Sequence, residues 1–305
     1  KKIELGNVSL PLSGSLITGA QSLFGVKTKL QFGKTTVTAV FSEQKSETSS
    51  IEIRGGAQMT EFEISIDDYE ENKHFFLAQY FYKEYDNAMN PELLPIISSG
   101  INITKIEVYI TNKNSTTLNT RNILGFQDLG EHSAINPINS VVQNNSIPFP
   151  YLPNNINNSL NPVDFIAEVA DNTLDSIRDI SQITSAFNNQ NYSGFNQGLD
   201  YEKVENARRL TSSEYTLNPQ LGFISLNQAL GSDEVLAVAF QYTYMGETYQ
   251  VGEFSTDITA PNTLMLKLLK STMTDVTQSK WNLLMKNVYA LGAYQINKDD
   301  FILDI

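Results

Sequence analysis

Two histidines, His74 and His132, and four acids between positions 67 and 71, namely Asp67, Asp68, Glu70 and Glu71, are the side chains best suited to proton transfer or metal binding. An imidazole metal site wants two histidines at short helical spacing, such as i and i+4, and these two are far apart in the chain. A Ser-His-Asp relay would have to recruit one of them, yet no Gly-x-Ser-x-Gly elbow presents a serine. The four acids offer carboxylate oxygens for Ca²⁺ but lack the calcium-loop pattern. Asp68 and Glu71 stand at capping-box spacing, so the group reads as the start of a helix whose positive end it complements. His74 is then expected on the surface of that helix. Carboxylate pairs for sugar hydrolysis cannot be identified from spacing, because the partners are distant in sequence. Gly55-Gly56 precedes no Lys-Ser/Thr, so it reads as a bend or bulge rather than a phosphate loop. Arg208-Arg209 and Tyr80, Phe81 and Tyr82 read as parts of the fold. No catalytic, cofactor-binding or metal-ligating residue is nominated, and the chain is not expected to be an enzyme.

Composition narrows the class further. A formal charge of −13 and a pI near 4.6 argue against a nucleic-acid surface, which needs a basic stripe to replace counterions on phosphate. Hydrophobic content of 41% is that of a folded chain. With no cysteine, disulfides, thiolate metal sites and a cysteine nucleophile are all excluded. The 305 residues are enough for two cores. The opening Lys-Lys-Ile-Glu carries no apolar signal core, and no run of about eighteen apolar residues exists to make a spanning helix. Strand-like ends, KKIEL and FILDI, suit a piece of something larger.

The elements that must carry these residues are mostly strands. Val26, Thr28, Leu30 and Phe32 share one face of a strand, with Lys27, Lys29 and Gln31 on the other. Gly33-Lys34 suits a two-residue type II′ turn. On the return strand, Thr35, Val37, Ala39 and Phe41 alternate with Thr36, Thr38, Val40 and Ser42. A soluble sheet with one wet face and an outer-membrane barrel with a polar lumen both produce this hairpin, and periodicity does not separate them. A strand is expected over 61–66, a helix from about Asn72 to Met89 ended by Pro91 and Pro95, and strands over 101–111 and 121–129. An Asn-, Ser- and Pro-rich stretch follows, with one helix whose first turn suits Pro162 and whose apolar positions are Phe165, Val169, Leu174, Ile177, Ile180, Ile183 and Phe187. Beyond it the pattern predicts a strand, turn and strand over 215–226, a hairpin over 235–254 around Met245-Gly246-Glu247, and a further strand at Leu264, Leu266 and Leu268. The expected class is α+β, mainly β: an amphipathic barrel-type hairpin (1–50), an α+β sandwich-like domain (51–135), a connector with one helix (136–199) and an immunoglobulin-like β-sandwich (200–305).

The run LPLSGSLITGAQSLFG from Leu10, continued by KTKLQFGKTTVTAVFSEQKSE, resembles the SprA family of giant outer-membrane translocons of type IX secretion and gliding motility. The resemblance recurs at Gly55-Gly56-Ala57-Gln58, at HFFLAQYF from His74, at Thr120 to Glu131, at YTLNPQLG from Tyr215, at VGEFSTD from Val251 and at MKNVYALGAYQI from Met285. It implies a very large β-barrel that passes folded cargo across the outer membrane, with this chain as an extracellular cap or insertion region. The implied partners are the rest of the barrel, secreted cargo proteins, a shuttle-type barrel protein and a plug. Outer-membrane lipid would cover the hairpin, and no cofactor or nucleic acid is implied. The rival reading is a soluble cell-surface adhesin or carbohydrate-binding β-sandwich module. A barrel piece should leave Val26, Leu30, Phe32, Val37 and Phe41 uncovered, whereas a self-contained module should bury them.

Overall fold

The computed structural model describes residues 2–8, 23–33, 35–42, 63–89, 97, 100–113, 117–132, 151–158, 177–187 and 195–292. The bend at Gly55-Gly56, the prolines at 91, 95 and 162, and the first turns of the connector helix lie outside them. The chain divides into two compact units, Lys1–Glu63 and Ile64–Ile305.

In the first unit β1 (Lys2–Val8), β2 (Leu23–Phe32) and β3 (Thr35–Ser42) form an antiparallel sheet in that order. The register sets Val26 opposite Phe41, Thr28 opposite Ala39 and Leu30 opposite Val37. Lys27, Lys29 and Gln31 face Val40, Thr38 and Thr36. Gly33 has a positive φ of 60°, as a primed hairpin turn needs at its first central position.

In the second unit five strands close on themselves. β5 (Ile101–Ile110), β6 (Thr120–Phe126), β7 (Tyr201–Arg209), β10 (Leu236–Tyr244) and β12 (Leu264–Lys270) run round the barrel in the order β5-β10-β12-β6-β7 and back to β5. Every pairing is antiparallel except β6 with β12. β11 (Glu247–Val251) extends β10 as a hairpin through Met245-Gly246, both at positive φ. A five-stranded barrel is narrow, and its interior is filled accordingly by Ala207, Ala237 and Ala239 beside Tyr109, Ile123, Leu264 and Leu266. Gly125 belongs to the same economy: a Cβ there would sit 3.1 Å from the Leu268 side chain.

Two outer layers complete the unit. β4 (His74–Phe76), β8 (Tyr215–Asn218) and β9 (Phe223–Leu226) make a small sheet in the order β4-β9-β8, and helix α1 (Gln79–Met89) follows β4. Phe75, Phe76, Leu77 and Phe81 from this layer join Val108, Ile110, Leu236, Val238, Phe240 and Tyr242 from the outer barrel face in the largest core. On the other flank, helix α2 (Ile183–Phe187) buries Ile183 and Phe187, with Ile177, against Leu124, Phe126 and Tyr201.

The chain is mainly β with few helices, the class the sequence predicts. The arrangement within that class differs. Strands of 101–126 and 201–270 alternate round one barrel instead of forming two sandwiches, because β12 inserts between β10 and β6. The helix expected from Asn72 begins at Gln79, and residues 74–76 form a strand on β9. Phe75, Phe76, Leu77 and Ala78 are all buried, so this stretch has no wet side on which a surface helix could expose residues. Residues 63–65 are irregular rather than extended, and Ile66 is exposed. A bulge in the pairing of β5 with β10, between the partners of Gln241 and Tyr242, brings Ile101 and Ile103 to the side of Val108 and Ile110. The connector helix is interrupted by a turn at Asp179, whose carboxylate accepts hydrogen bonds from Ser181 N and Oγ.

Candidate functional site

In the first unit one face of the hairpin is exposed. Phe32, Val37 and Phe41 are exposed at 62%, 47% and 72%, and Val26 and Leu30 are only half-buried. These side chains share one face, because directly opposed residues of a ladder point the same way. The other face carries Lys27, Lys29, Gln31, Thr36 and Thr38. Residues that a soluble sheet would bury are here uncovered, on a sheet whose two outer edges, β1 and β3, have no further strand among the described residues.

The second unit holds polar groups inside. Lys267 and Glu131, 0% and 1% exposed, pair at 2.8 Å. Lys267 also donates to the Gln127 carbonyl, while Glu131 Oε1 accepts from the Gln79 backbone N–H at 3.0 Å. Glu131 therefore caps α1 from far along the chain, in the role the sequence assigns to Asp68 and Glu71. Arg178 clamps Glu253 with two parallel bonds of 2.6 and 2.7 Å. Burial works to raise the Glu107 pKa, but hydrogen bonds from Ser255 N and Oγ and from the Tyr109 hydroxyl outweigh it and hold the carboxyl below its usual range. Arg209 adds a bond of 3.1 Å to the same carboxylate.

Lys280 lies in a shallow cleft with Lys270, Trp281 and Asp275. Its Nζ donates to the carbonyls of Gly198 and Leu199, both at 2.8 Å, and burial pushes its pKa down to about 8. Lys270 and Lys286, likewise lowered by burial, also spend their ammonium groups on backbone carbonyls. These lysines staple loops, a role that composition hides because lysine is ordinarily solvated.

His74 is not on a helix surface: it lies in β4, 7% exposed, with Nε2 2.9 Å from Glu70 and Nδ1 2.8 Å from Ser225 Oγ. The Glu-His-Ser chain has the composition of a hydrolase relay but not its stage. Ser225 sits on the central strand of a sheet, opposite His74 on one side and Thr216 on the other, where backbone N–H groups serve the ladder rather than an oxyanion. The arrangement ties the Glu70 turn to β9. Glu70 also pairs with Lys73, whose hydrogen bond keeps the carboxyl pKa low. Asp68 closes a turn on Ser65, and no group of His, Asp and Glu able to hold a metal occurs among the described residues. His132 is buried and stacks on Tyr151 at 4.2 Å; burial and the nearby Lys83 lower its pKa against an opposing effect of Glu131. Arg208 pairs with Glu214, and Phe81 lies in the core.

The family model described as motility related/secretion protein, the SprA N-terminal family, matches residues 1–250. No curated protein matches the chain. No helix of the described residues is long and apolar enough to cross a membrane. With most of its length matched, the chain belongs to the SprA family of motility-related secretion proteins.

Proposed function

We propose that the chain is a section of an outer-membrane translocon for folded proteins, serving type IX secretion and gliding motility, in which β1–β3 form part of the barrel wall. The observation that carries this reading is the uncovered apolar face of β2 and β3, with Phe32, Val37 and Phe41 exposed opposite a face of lysine, glutamine and threonine. A lipid-facing wall requires apolar side chains outside and polar ones toward the lumen, strand by strand. The edges of β1 and β3, without a further strand among the described residues, suit continuation by neighbouring strands of the same wall, since a barrel closes only when each edge is paired.

Short turns of such barrels face the periplasm and longer connections face outward. The Gly33-Lys34 turn is short, which suits the periplasmic face, and the second unit is assigned to an extracellular cap. Secreted cargo, a shuttle-type barrel protein and a plug are the partners this role implies. An epitope inserted at Met245-Gly246, the exposed tip of the β10–β11 hairpin, tests the placement. Antibody binding to intact cells is expected, and binding only after permeabilisation would contradict it.

A further inference from the structure

The ladder of β4, β9 and β8 sorts its side chains onto two faces. Phe75, Ile224 and Leu217 share the side that packs into the main core, with Leu226 and Tyr215. The opposite side carries two rows: His74, Ser225 and Thr216, then Phe76, Phe223 and Asn218. Ile224 and Leu226 are buried, whereas Phe223 and Ser225 are half-buried and Thr216 is exposed. The second side is therefore open over β9 and β8.

Phe76 is covered from α1 by Tyr82 and Tyr85, at ring-centre distances of 5.8 and 5.3 Å, and Phe223 stands edge-on to Tyr85 at 6.3 Å. Tyr82, Tyr85 and Phe223 are each half-buried, so an aromatic patch borders the open face. The face of such a ring is electronegative and receives weakly positive C–H groups, which is what the flat side of a sugar presents.

The row beside it is set to accept hydrogen bonds. The Glu70 carboxylate, its pKa held low by the hydrogen bond from Lys73, can only accept, so His74 Nε2, 2.9 Å away, carries a proton. In the neutral ring Nδ1 then accepts from the Ser225 hydroxyl at 2.8 Å, which leaves the Ser225 lone pairs for a ligand. Thr216 sets a second hydroxyl opposite Ser225. Glu70 is paired with Lys73, so its charge is already matched. Neighbouring rows on one face of a strand lie about 7 Å apart, twice the rise per residue, which suits one hexose ring on the aromatics with its hydroxyls over the polar row.

We propose that the open face of β9 and β8 binds a neutral saccharide, stacking a hexose ring on Phe223 and Tyr85 and taking its hydroxyl groups at Ser225 and Thr216. An amphipathic helix would want a continuous apolar groove, and a charged ligand a free counter-charge; an aromatic patch beside uncharged hydroxyls matches a sugar. The inference stands on the second unit alone and does not depend on the chain's place in a translocon.

The test titrates the whole chain calorimetrically with cellohexaose, maltohexaose, xylohexaose and a proline-rich decapeptide, and screens it on an array of neutral and acidic glycans. A neutral glycan should bind with a Kd below about 1 mM. Phe223→Ala and Tyr85→Ala should each weaken that binding at least about ten-fold. Thr216→Lys should do the same with an unchanged thermal midpoint, because Thr216 is exposed and its replacement leaves the core alone. Thr248→Lys, on exposed β11, should bind as the unaltered chain does. Absence of binding to every neutral glycan, a preference for acidic glycans or for the decapeptide, or neutral-glycan binding that Thr216→Lys leaves unchanged overturns the proposal.

Discussion

Lys267 Nζ lies 2.8 Å from Glu131 Oε1 with neither side chain in contact with solvent, and this pair joins β12 to the start of α1 through the Gln79 N–H. Removing one partner strands the other charge in a medium that cannot solvate it. Lys267→Met should therefore cost about 3–5 kcal/mol, whereas Lys267→Met with Glu131→Gln should recover much of the loss. Urea unfolding of 64–305 measures both. Equal losses from the single and double variants would show that packing, not charge, carries the effect.

Gly222 presses its backbone onto Phe81: a Cβ there would fall 2.1 Å from the ring, and its φ is +62°. Phe81 is 1% exposed and has no room to retreat from the main core. Gly222→Ala should destabilise the second unit by more than about 2 kcal/mol, read as a fall in thermal midpoint. Gly246→Ala, at an open turn with nothing near, should cost less, chiefly the strain of positive φ.

Alkaline pH should first stabilise the second unit and then destabilise it. Lys280 titrates near 8 when folded and near 10.5 when unfolded. Below about pH 8 both states hold the proton and the folded state bears the full cost of the buried charge. Between the two values the unfolded state binds more protons, so stability rises with pH, by up to about 3 kcal/mol. Burial pushes the Tyr80 pKa up to about 12 from 10 and raises those of Tyr109 and Tyr242 as well, so the folded state holds the extra protons above pH 10 and stability falls. Urea midpoints at pH 7.5, 9 and 11 should trace this rise and fall, and Lys280→Met should flatten the rise.

The family match stops at residue 250, but the fold does not. β12 closes the barrel between β10 and β6, and Glu253 and Ser255 hold Arg178 and Glu107. A fragment of 64–250 should show no cooperative unfolding transition, while 64–305 should show one. A sharp transition in the shorter fragment would mean that the barrel closes by another route.

The hairpin was legible because its two faces differ in polarity, so the period of two in Val26 to Phe32 survives into the register. The β8–β9 turn was legible through Asn218, whose side chain caps the N–H groups of Gln220 and Leu221. Where a segment is buried on every side, periodicity carries no instruction: His74 to Ala78 looked helical because the true helix behind it lent its pattern. The single barrel was hidden for a different reason. Pairing of Leu264 with Ile123 is a long-range parallel contact that no local pattern encodes. Sequence spacing puts His74 on a surface because its partners, Glu70 and Ser225, come together only when β4 meets β9.

The account turns on whether β2 and β3 face lipid on one side and water on the other. The chain has no cysteine of its own, so single cysteines can be read without background. In cells carrying the protein in the outer membrane, a water-soluble maleimide should label Lys27→Cys, Lys29→Cys and Thr36→Cys and spare Leu30→Cys, Phe32→Cys, Val37→Cys and Phe41→Cys. Uniform labelling of both sets, or the reverse pattern, would contradict the wall.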